Sequence, residues 1–234
     1  WHALAGNKRK VHGLLEDQIF MVDALLAAQT ATGDPLWLRR AREVMDHALK
    51  HFWDADHPGF TDLAEEVRAT AELSLREVRR RPLEDSPYAG ANAVAALCLQ
   101  RLHALTGNDD YRLHHDEIMM NFAGEAARYG PIFCGTFFLA AELSLHPRAE
   151  IVLVGSRQDP ALQRLAAAAR GTFAPGKSIL VADEAETYVP DAVEHMRKTV
   201  EARAGSVAFV CQGSTCSPPT SDPVHLVALL RGSA

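Results

Sequence analysis

Two stretches of the chain repeat one pattern at a fixed distance, and this repeat constrains the fold more than any other feature. Thr32-Gly33-Asp34 corresponds to Thr106-Gly107-Asn108. Trp37 corresponds to Tyr111 at the same offset of 74 residues (106 − 32 and 111 − 37). Each copy reads as a helix, a Thr-Gly-polar turn and a second helix, a unit that buries its apolar face only by stacking on further copies. The repeat predicts helical hairpins joined by a long insertion, as in an α/α toroid, with Trp37 and Tyr111 buried in equivalent ways.

Apolar residues at helical spacing extend this reading along the first two thirds of the chain. They predict helices over residues 14–31, 35–52, 90–106 and 109–129, and one more apolar helix that ends at 146. A glycine after a helix, such as Gly33, is a typical C-terminal stop. Residues 1–13 are predicted to be irregular, and the charged residues 64–87 to form a solvated excursion or an irregular helix.

The pattern changes at Arg148, where short apolar runs begin to alternate with helical segments. The runs lie near residues 150–154, 178–182 and 206–210. The helices between and after them begin at Asp159-Pro160, in "VPDAVEHMRKTVEA", and at Ser221 or Asp222. Strand and helix alternation of this kind is typical of βαβ units with a parallel sheet. The predicted fold is mainly α, with residues 1–147 forming hairpins of an incomplete α/α toroid and residues 148–234 forming a small βαβαβα unit.

Composition excludes several classes of function. The 234 residues carry a formal net charge of −6, which argues against a nucleic-acid or anionic-membrane surface. No apolar run reaches the roughly 18–20 residues that span a bilayer. Four cysteines in a chain of this length do not form a disulfide scaffold, and a cytoplasmic location is expected. Because the chain begins at Trp1 and holds too few hairpins for a closed toroid, we expect it to be a fragment of a longer protein.

Three segments in the same order resemble one known family. They are "LLEDQIFMVDALLAAQTATGDPLWLRRAREVMDHALKHFWD", "AGANAVAALCLQRLHALTGNDDY" and "AFVCQGSTCSPPTSDPVHL". These resemble the thioredoxin-domain-containing family that includes spermatogenesis-associated protein 20, in the C-terminal third of its members. Gln18 replaces the aromatic residue of the family pattern, and Tyr88-Ala89-Gly90-Ala91-Asn92 replaces Pro-Ser-Gly-Asn while keeping the asparagine.

The resemblance implies a six-hairpin, glycosidase-type α/α toroid. Its fold relatives include sugar epimerases and glycosidases, which implies a carbohydrate ligand by analogy of fold. A full family member also carries an N-terminal thioredoxin-like domain, and any redox function of that domain does not transfer to this chain. The missing N-terminal part, or another chain, is therefore an expected partner.

Glu16 and Asp17 are the candidate catalytic residues. At the start of the first helix they form a carboxylate pair that would face the axis of a toroid and act as acid or base on a sugar. The alternative is structural, because carboxylates in a first turn interact favourably with the helix dipole.

His12, Tyr88 and Asn92 are the candidate substrate-binding residues. His12 precedes the carboxylate pair, and Tyr88 and Asn92 flank the start of a later helix, where a toroid would place them near a bound sugar hydroxyl. The alternatives are a solvated histidine, and helix capping or packing for the other two.

Cys211 and Cys216 are predicted to form a local disulfide or to be two inert thiols. Their spacing differs from the C-x-x-C of redox sites, and a zinc site would need two more ligands. Asp54, Asp56 and His57 lack a second ligand cluster, so neither a metal nor another cofactor is expected.

Two functions remain open from the sequence. One is an enzyme fragment that binds or processes a carbohydrate in the toroid groove. The other is a non-catalytic scaffold for a thioredoxin-like domain or another partner, in which case a large exposed apolar surface is expected.

Overall fold

The computed structural model describes residues 2–6, 8–10, 13–70, 80–146, 148–183, 196, 205–213 and 215–232. The chain divides into two compact units. The first comprises Trp1–Leu26, Leu36–Gln100 and Asp109–Glu142, and the second comprises Ala27–Pro35, Arg101–Asn108 and Leu143–Ala234. The division at residues 147 and 148 that the sequence suggests stays a prediction.

Helices dominate the described part of the chain, which confirms that the fold is mainly α. The described helices are α1 Leu15–Thr32, α2 Pro35–Phe52, α3 Glu65–Thr70, α4 Ala91–Thr106, α5 Asp109–Tyr129, α6 Gly135–Leu145, α7 Pro160–Gly171 and α8 Pro223–Leu230. Closure of the hairpins into a toroid stays a prediction. No helix in the described ranges is both long enough and apolar enough to cross a membrane.

The beginning of the chain is more regular than predicted. Strands β1 (Ala3–Ala5) and β2 (Lys8–Lys10) pair antiparallel, with Ala3 opposite Lys10. Gly6 lies between them at a φ of 60°, a left-handed conformation that glycine adopts without steric cost. The prediction of an irregular segment is therefore wrong, because a tight turn at this glycine reverses the chain and lets two short strands pair.

The 74-residue repeat is preserved in the burial of α2 and α5. Three pairs of positions at this offset are buried in both helices, namely Ala41 with His115, Ala48 with Phe122 and Phe52 with Ala126. The predicted equivalence of Trp37 and Tyr111 is wrong, since Tyr111 is fully buried and Trp37 is only half-buried. In α2 the neighbouring Leu38 supplies the buried side chain of the first turn instead.

The two Thr-Gly turns, both in the second unit, have nearly the same geometry. Gly33 and Gly107 adopt φ values of 73° and 69°. The amide of each donates a 2.7 Å hydrogen bond to the carbonyl four residues earlier, on Gln29 and on His103. Each helix thus ends at a left-handed glycine whose amide donates a hydrogen bond to one of the last carbonyls of the helix.

A four-stranded mixed sheet forms the centre of the second unit. Its strands lie in the order β4 (Ser178–Ala182), β3 (Ala149–Val154), β5 (Val207–Gln212) and β6 (Thr215–Cys216). The three predicted runs are confirmed as strands, and β3 is parallel to β4. The expectation of a fully parallel sheet is wrong, because β5 runs antiparallel to β3. An apolar run that is buried on both faces has the same composition in either direction, so the pattern did not encode the orientation.

Both faces of this sheet are covered. On one face, helices α7 and α8 pack their apolar residues against alternate strand positions such as Ile151 and Ile179. On the other face, Val152, Phe209 and Cys211 form a cluster against which the helical residue Met196 packs. The remainder of the helix predicted in "VPDAVEHMRKTVEA" lies outside the described residues.

The predicted starts of α7 and α8 are confirmed. Asp159 accepts a hydrogen bond from the amide of Ala161, and Asp222 accepts one from the amide of Val224. In both helices proline follows the capping aspartate, where its missing N–H leaves no donor unsatisfied.

Candidate functional site

Glu16 and Tyr88 meet in the first unit. Glu16 lies in the first turn of α1, and Tyr88 lies in the loop that precedes α4. The Tyr88 hydroxyl donates a 2.7 Å hydrogen bond to Oε2 of Glu16. This bond to a carboxylate raises the pKa of Tyr88, because it stabilises the neutral phenol. The structure thus brings together one predicted catalytic residue and one predicted substrate-binding residue.

An aromatic contact adds an apolar surface beside the pair. The rings of Phe20 and Tyr88 lie edge to face, with centroids 5.8 Å apart and planes at 82°. Phe20 follows Glu16 by one helical turn on α1. Tyr88 remains 53% exposed, so its ring is accessible to solvent and to a ligand.

Asp85 holds the loop that carries Tyr88. Its side chain accepts hydrogen bonds of 2.8 Å from the backbone amides of Gly90 and Thr136. Its own amide donates a 2.7 Å bond to the carbonyl of Phe133. One aspartate therefore ties the loop both to the start of α4 and to the start of α6.

Gly90 permits a close approach of two backbone segments in this loop. A Cβ atom at this position would lie 2.0 Å from the carbonyl oxygen of Leu83. No side chain fits there, so this position requires a glycine for a steric reason.

Asn92 is fully buried and binds backbone groups. Its Oδ1 accepts a 2.7 Å hydrogen bond from the Phe60 amide, and its Nδ2 donates to the carbonyls of Phe60 at 2.9 Å and Pro82 at 3.1 Å. These three bonds match the capping and packing alternative. Direct contact of Asn92 with a ligand stays a prediction.

Asp17 participates in the start of α1. Its Oδ2 accepts a 2.8 Å hydrogen bond from the amide of Leu14, and the carboxylate lies 3.0 Å from Nδ1 of His2. A carboxylate at the third helical position that binds back to the capping residue is half of a capping box. A catalytic role for Asp17 stays a prediction. The third substrate-binding candidate, His12, lies outside the described residues.

Two charged residues that the sequence did not indicate, Asp62 and Arg80, lie near Glu16 and Tyr88. Asp62 and Arg80 approach each other to 3.9 Å. Burial raises the pKa of the Asp62 carboxyl, the Arg80 guanidinium opposes this effect, and the Glu16 carboxylate adds to it. A single acidic residue after the Gly-Phe-Thr segment carries no distinguishing pattern, so only the folded chain indicates its proximity to Glu16.

A pocket elsewhere in the first unit has a volume of about 270 Å³ and is lined largely by polar residues, namely His51, Trp53, Asp54, Ala55, Asp56, Thr61 and Glu65. Asp54 there accepts hydrogen bonds from the amides of Asp56 and His57, which fixes the turn. Among the residues that the structure describes, no group of three His, Cys, Asp or Glu side chains is arranged to hold a metal ion.

The cysteines fall into two classes. Cys211 and Cys216 face each other across β5 and β6 and are joined by a disulfide. Cys98 and Cys134 are buried in α4 and immediately before α6.

Comparison with known proteins shows that the chain is homologous to spermatogenesis-associated protein 20. It is 27% identical to the human protein over 220 residues, and 25% identical to the rat and mouse proteins over the same length. The match covers 94% of this chain but 27% of each relative, so the chain spans about a quarter of their length. No protein-family model matches the chain.

Proposed function

We propose that this chain binds, and in a complete protein processes, a carbohydrate at Glu16 and Tyr88. The observation that carries the proposal is the 2.7 Å hydrogen bond between the phenol and the carboxylate. A carboxylate offers about four acceptor positions and a phenol acts as donor and acceptor, so both retain capacity beyond their mutual bond. Sugar hydroxyls donate and accept hydrogen bonds in the same way.

The aromatic part of the site supports the same class of ligand. The exposed ring of Tyr88, held edge to face by Phe20, offers an apolar face beside polar groups. Aromatic side chains of this kind combine a large apolar surface with a polar end. Sugar rings combine an apolar face of C–H groups with polar hydroxyls and therefore complement such a surface.

Hydrogen bonds hold the loop that carries Tyr88 in place, and this supports a preorganised site. Asp85 and Asn92 bind backbone groups on both sides of Tyr88, and Gly90 allows the loop to close tightly. We assign Asp85 and Asn92 to positioning. When the binding side chains of a protein are held on rigid elements, little affinity is lost to ordering of the protein as the ligand binds.

In this proposal Glu16 accepts a hydrogen bond from the ligand and acts as general acid or base in any reaction on it. Asp17 supplies a second carboxylate at the same helix start, and His12 binds the ligand from the preceding segment. The carbohydrate class also follows from the resemblance to a toroid family, which is an analogy of fold.

The test is a direct binding measurement with defined saccharides. We would titrate glucose, N-acetylglucosamine, maltose and cellobiose into the chain and follow saturation-transfer NMR of the sugar protons. We expect binding of at least one of them, and a loss of at least tenfold in affinity for Glu16→Gln and for Tyr88→Phe.

Glu43→Gln is the matched control, because Glu43 forms an exposed pair with Arg40 on α2. This variant should bind as the parent chain does. The proposal is wrong if none of the four sugars binds, or if the control loses as much affinity as Glu16→Gln.

A second candidate function is an interaction module, and exposed apolar side chains favour it. Ile132 is 85% exposed, and Phe133 and Leu139 are about half exposed. Apolar patches on a protein surface often mark interfaces. The proposed partner is a thioredoxin-like domain or the part of a longer protein that corresponds to the unmatched length of the relatives.

This candidate is tested by titrating a purified thioredoxin-like domain into the chain in a calorimeter. Ile132→Ser and Leu139→Ser should then weaken binding, while Glu16→Gln should not. A cytoplasmic location is part of both candidates and remains a proposal.

A further inference from the structure

The pocket lined by Trp53 and Asp54 is built on a tight turn that follows α2. Trp53 and Phe60 form an antiparallel bridge, and the amide of Asp54 donates a 2.9 Å hydrogen bond to the carbonyl of Gly59. Thr61, the next lining residue after this bridge, is buried. The backbone itself therefore fixes one wall of the pocket.

Trp53 gives the pocket an aromatic wall. Its ring contacts that of Phe60 edge to face, with centroids 5.0 Å apart, and that of His114 on α5, with centroids 4.5 Å apart. These two contacts hold the indole in place between neighbouring segments. Of the aromatic side chains, the indole of tryptophan attracts cations most strongly.

Three carboxylates supply the charge of the lining. The side chain of Asp54 is 4% exposed, whereas Asp56 and Glu65 are exposed. The guanidinium of Arg81 acts on Asp54 as an opposite charge, so the buried carboxylate is partly balanced within the protein. Asp56 and Glu65 therefore carry the negative charge that the pocket presents to solvent.

His51 does not reverse the sign of this lining. Its Nδ1 lies 2.5 Å from Oε1 of Glu66, and that carboxylate balances any positive charge on the imidazole. Within the described part of the chain, no three His, Cys, Asp or Glu side chains are arranged to hold a metal ion. The pocket thus complements a cation that binds without a fixed coordination geometry.

We propose that this pocket binds a primary alkylammonium cation, with the ammonium group at Asp56 and Glu65 and the alkyl chain against Trp53. An ammonium group is a compact charge with three N–H donors, which suits carboxylates that come from different segments. The volume of about 270 Å³ lies at the small end for ligand pockets and fits a short alkyl chain. The inference is independent of the proposed carbohydrate function, because it uses other residues and another ligand.

The first test is an NMR titration of the chain at constant ionic strength with n-butylammonium chloride. Trp53→Phe assigns the indole N–H signal of Trp53. We expect this signal to shift with saturable one-to-one binding, while that of Trp37 stays in place. n-Butanol lacks the charge and tetramethylammonium lacks the N–H donors, so each should bind at least fivefold more weakly. Equal shifts at both tryptophans, or equal affinity for n-butanol, would overturn the inference.

The second test removes the two exposed carboxylates. Asp56→Asn and Glu65→Gln should each weaken n-butylammonium binding at least threefold, and the double variant at least tenfold. Asp54 is left intact because its carboxylate accepts the amide hydrogen bonds of the turn. Glu43→Gln removes an exposed carboxylate that pairs with Arg40, and it should bind as the parent chain does. Unchanged affinity in the double variant, or an equal loss in the control, contradicts the site.

Two further ligands identify the source of the cation. Nα-acetyl-lysine methylamide that binds more tightly than n-butylammonium supports a lysine side chain of a polypeptide as the natural ligand, and weaker binding supports a free amine. Magnesium chloride at equal ionic strength should not displace n-butylammonium. Displacement by Mg²⁺ would assign the carboxylates to a metal ion and overturn the inference, as would the failure of both amines to bind.

Discussion

The side-chain amide of Gln29 donates a 2.9 Å hydrogen bond to the carbonyl oxygen of Ile179, 150 residues later in the chain. Both residues belong to the second unit and both are buried. Ile179 pairs with Ile151 of β3, and β4 is the outermost of the four described strands on that side. Edge strands present backbone groups without partners. Gln29 therefore satisfies a buried carbonyl at a sheet edge from the last turns of α1.

Gln29→Leu should destabilise the second unit. The change preserves most of the volume but removes the donor, so the buried carbonyl of Ile179 loses a partner at a cost of about 1–3 kcal/mol. Chemical denaturation followed by circular dichroism measures the loss. Gln163→Leu is the matched control at an exposed position, where the change should stay within about 0.5 kcal/mol. Equal effects in the two variants would contradict the prediction.

The local features of the fold could be predicted from the sequence. Helix ends at Gly33 and Gly107, aspartate caps before proline, and short apolar runs as strands all depend on residues within a few positions of one another. Their physical causes, which are backbone conformation, capping and periodic burial, act within one turn or one strand. These elements therefore lie within a few residues of their predicted bounds.

The features that could not be predicted depend on contacts distant in the sequence. The direction of β5 depends on the path of the preceding connection, which apolar composition does not encode. The hydrogen bonds from Gln29 to Ile179 and from the Leu15 amide to the Asp62 carbonyl join segments that lie far apart in the sequence. For the site, the sequence selected Glu16 and Tyr88 but not their neighbour Asp62, because a lone aspartate has no motif.

Gly90→Ala should disrupt the loop that presents Tyr88. The new Cβ would lie 2.0 Å from the backbone oxygen of Leu83, which cannot move as a flexible side chain would. We expect a loss of about 3 kcal/mol or more in the free energy of unfolding. Gly124→Ala, inside α5 with no atom within 4 Å, should instead stabilise by up to about 1 kcal/mol. Thermal and chemical denaturation of both variants distinguish them, and a Gly90→Ala protein as stable as its parent would refute the steric argument.

The two repeated turns contain the same threonine hydrogen bond, which is exposed in the first turn and buried in the second. The Thr32 hydroxyl donates to the Ala28 carbonyl at 2.8 Å, and the Thr106 hydroxyl donates to the Leu102 carbonyl at 2.6 Å. Thr32 is exposed, whereas Thr106 is 4% exposed. Thr106→Val should therefore cost about 1–3 kcal/mol, and Thr32→Val about 0.5 kcal/mol or less. Similar losses in the two denaturation curves would show that burial does not set the difference.

Replacing Cys211 and Cys216 together by serine should lower stability modestly. The disulfide closes a loop between residues five positions apart, so it removes little chain entropy and contributes about 2 kcal/mol at most. Dithiothreitol should lower the melting temperature of the parent chain to that of the double variant and should not affect the variant itself. If the double variant has the same melting temperature as the oxidised parent chain, the disulfide does not stabilise the fold.

Tyr111 should make stability depend on alkaline pH. Burial, together with the 2.7 Å bond that its hydroxyl donates to Asp46, raises the pKa of Tyr111 above the usual tyrosine value of about 10. The folded state therefore holds the phenolic proton more tightly than the unfolded chain. The resulting stabilisation is fully present below pH 10 and is lost as the pH rises above it.

The measurement is the free energy of unfolding between pH 8 and pH 11 for the parent chain, Tyr111→Phe and Asp46→Asn. The parent should lose stability across the upper part of this range, and Tyr111→Phe should lose markedly less because it has no phenol to ionise. Asp46→Asn should fall between them, since it removes the hydrogen-bonded charge but leaves the burial, which is the larger cause. At pH 8, Tyr111→Phe should already be about 1–2 kcal/mol less stable, because the Asp46 carboxylate loses its donor. Parallel curves for all three proteins would show that Tyr111 does not couple folding to alkaline pH.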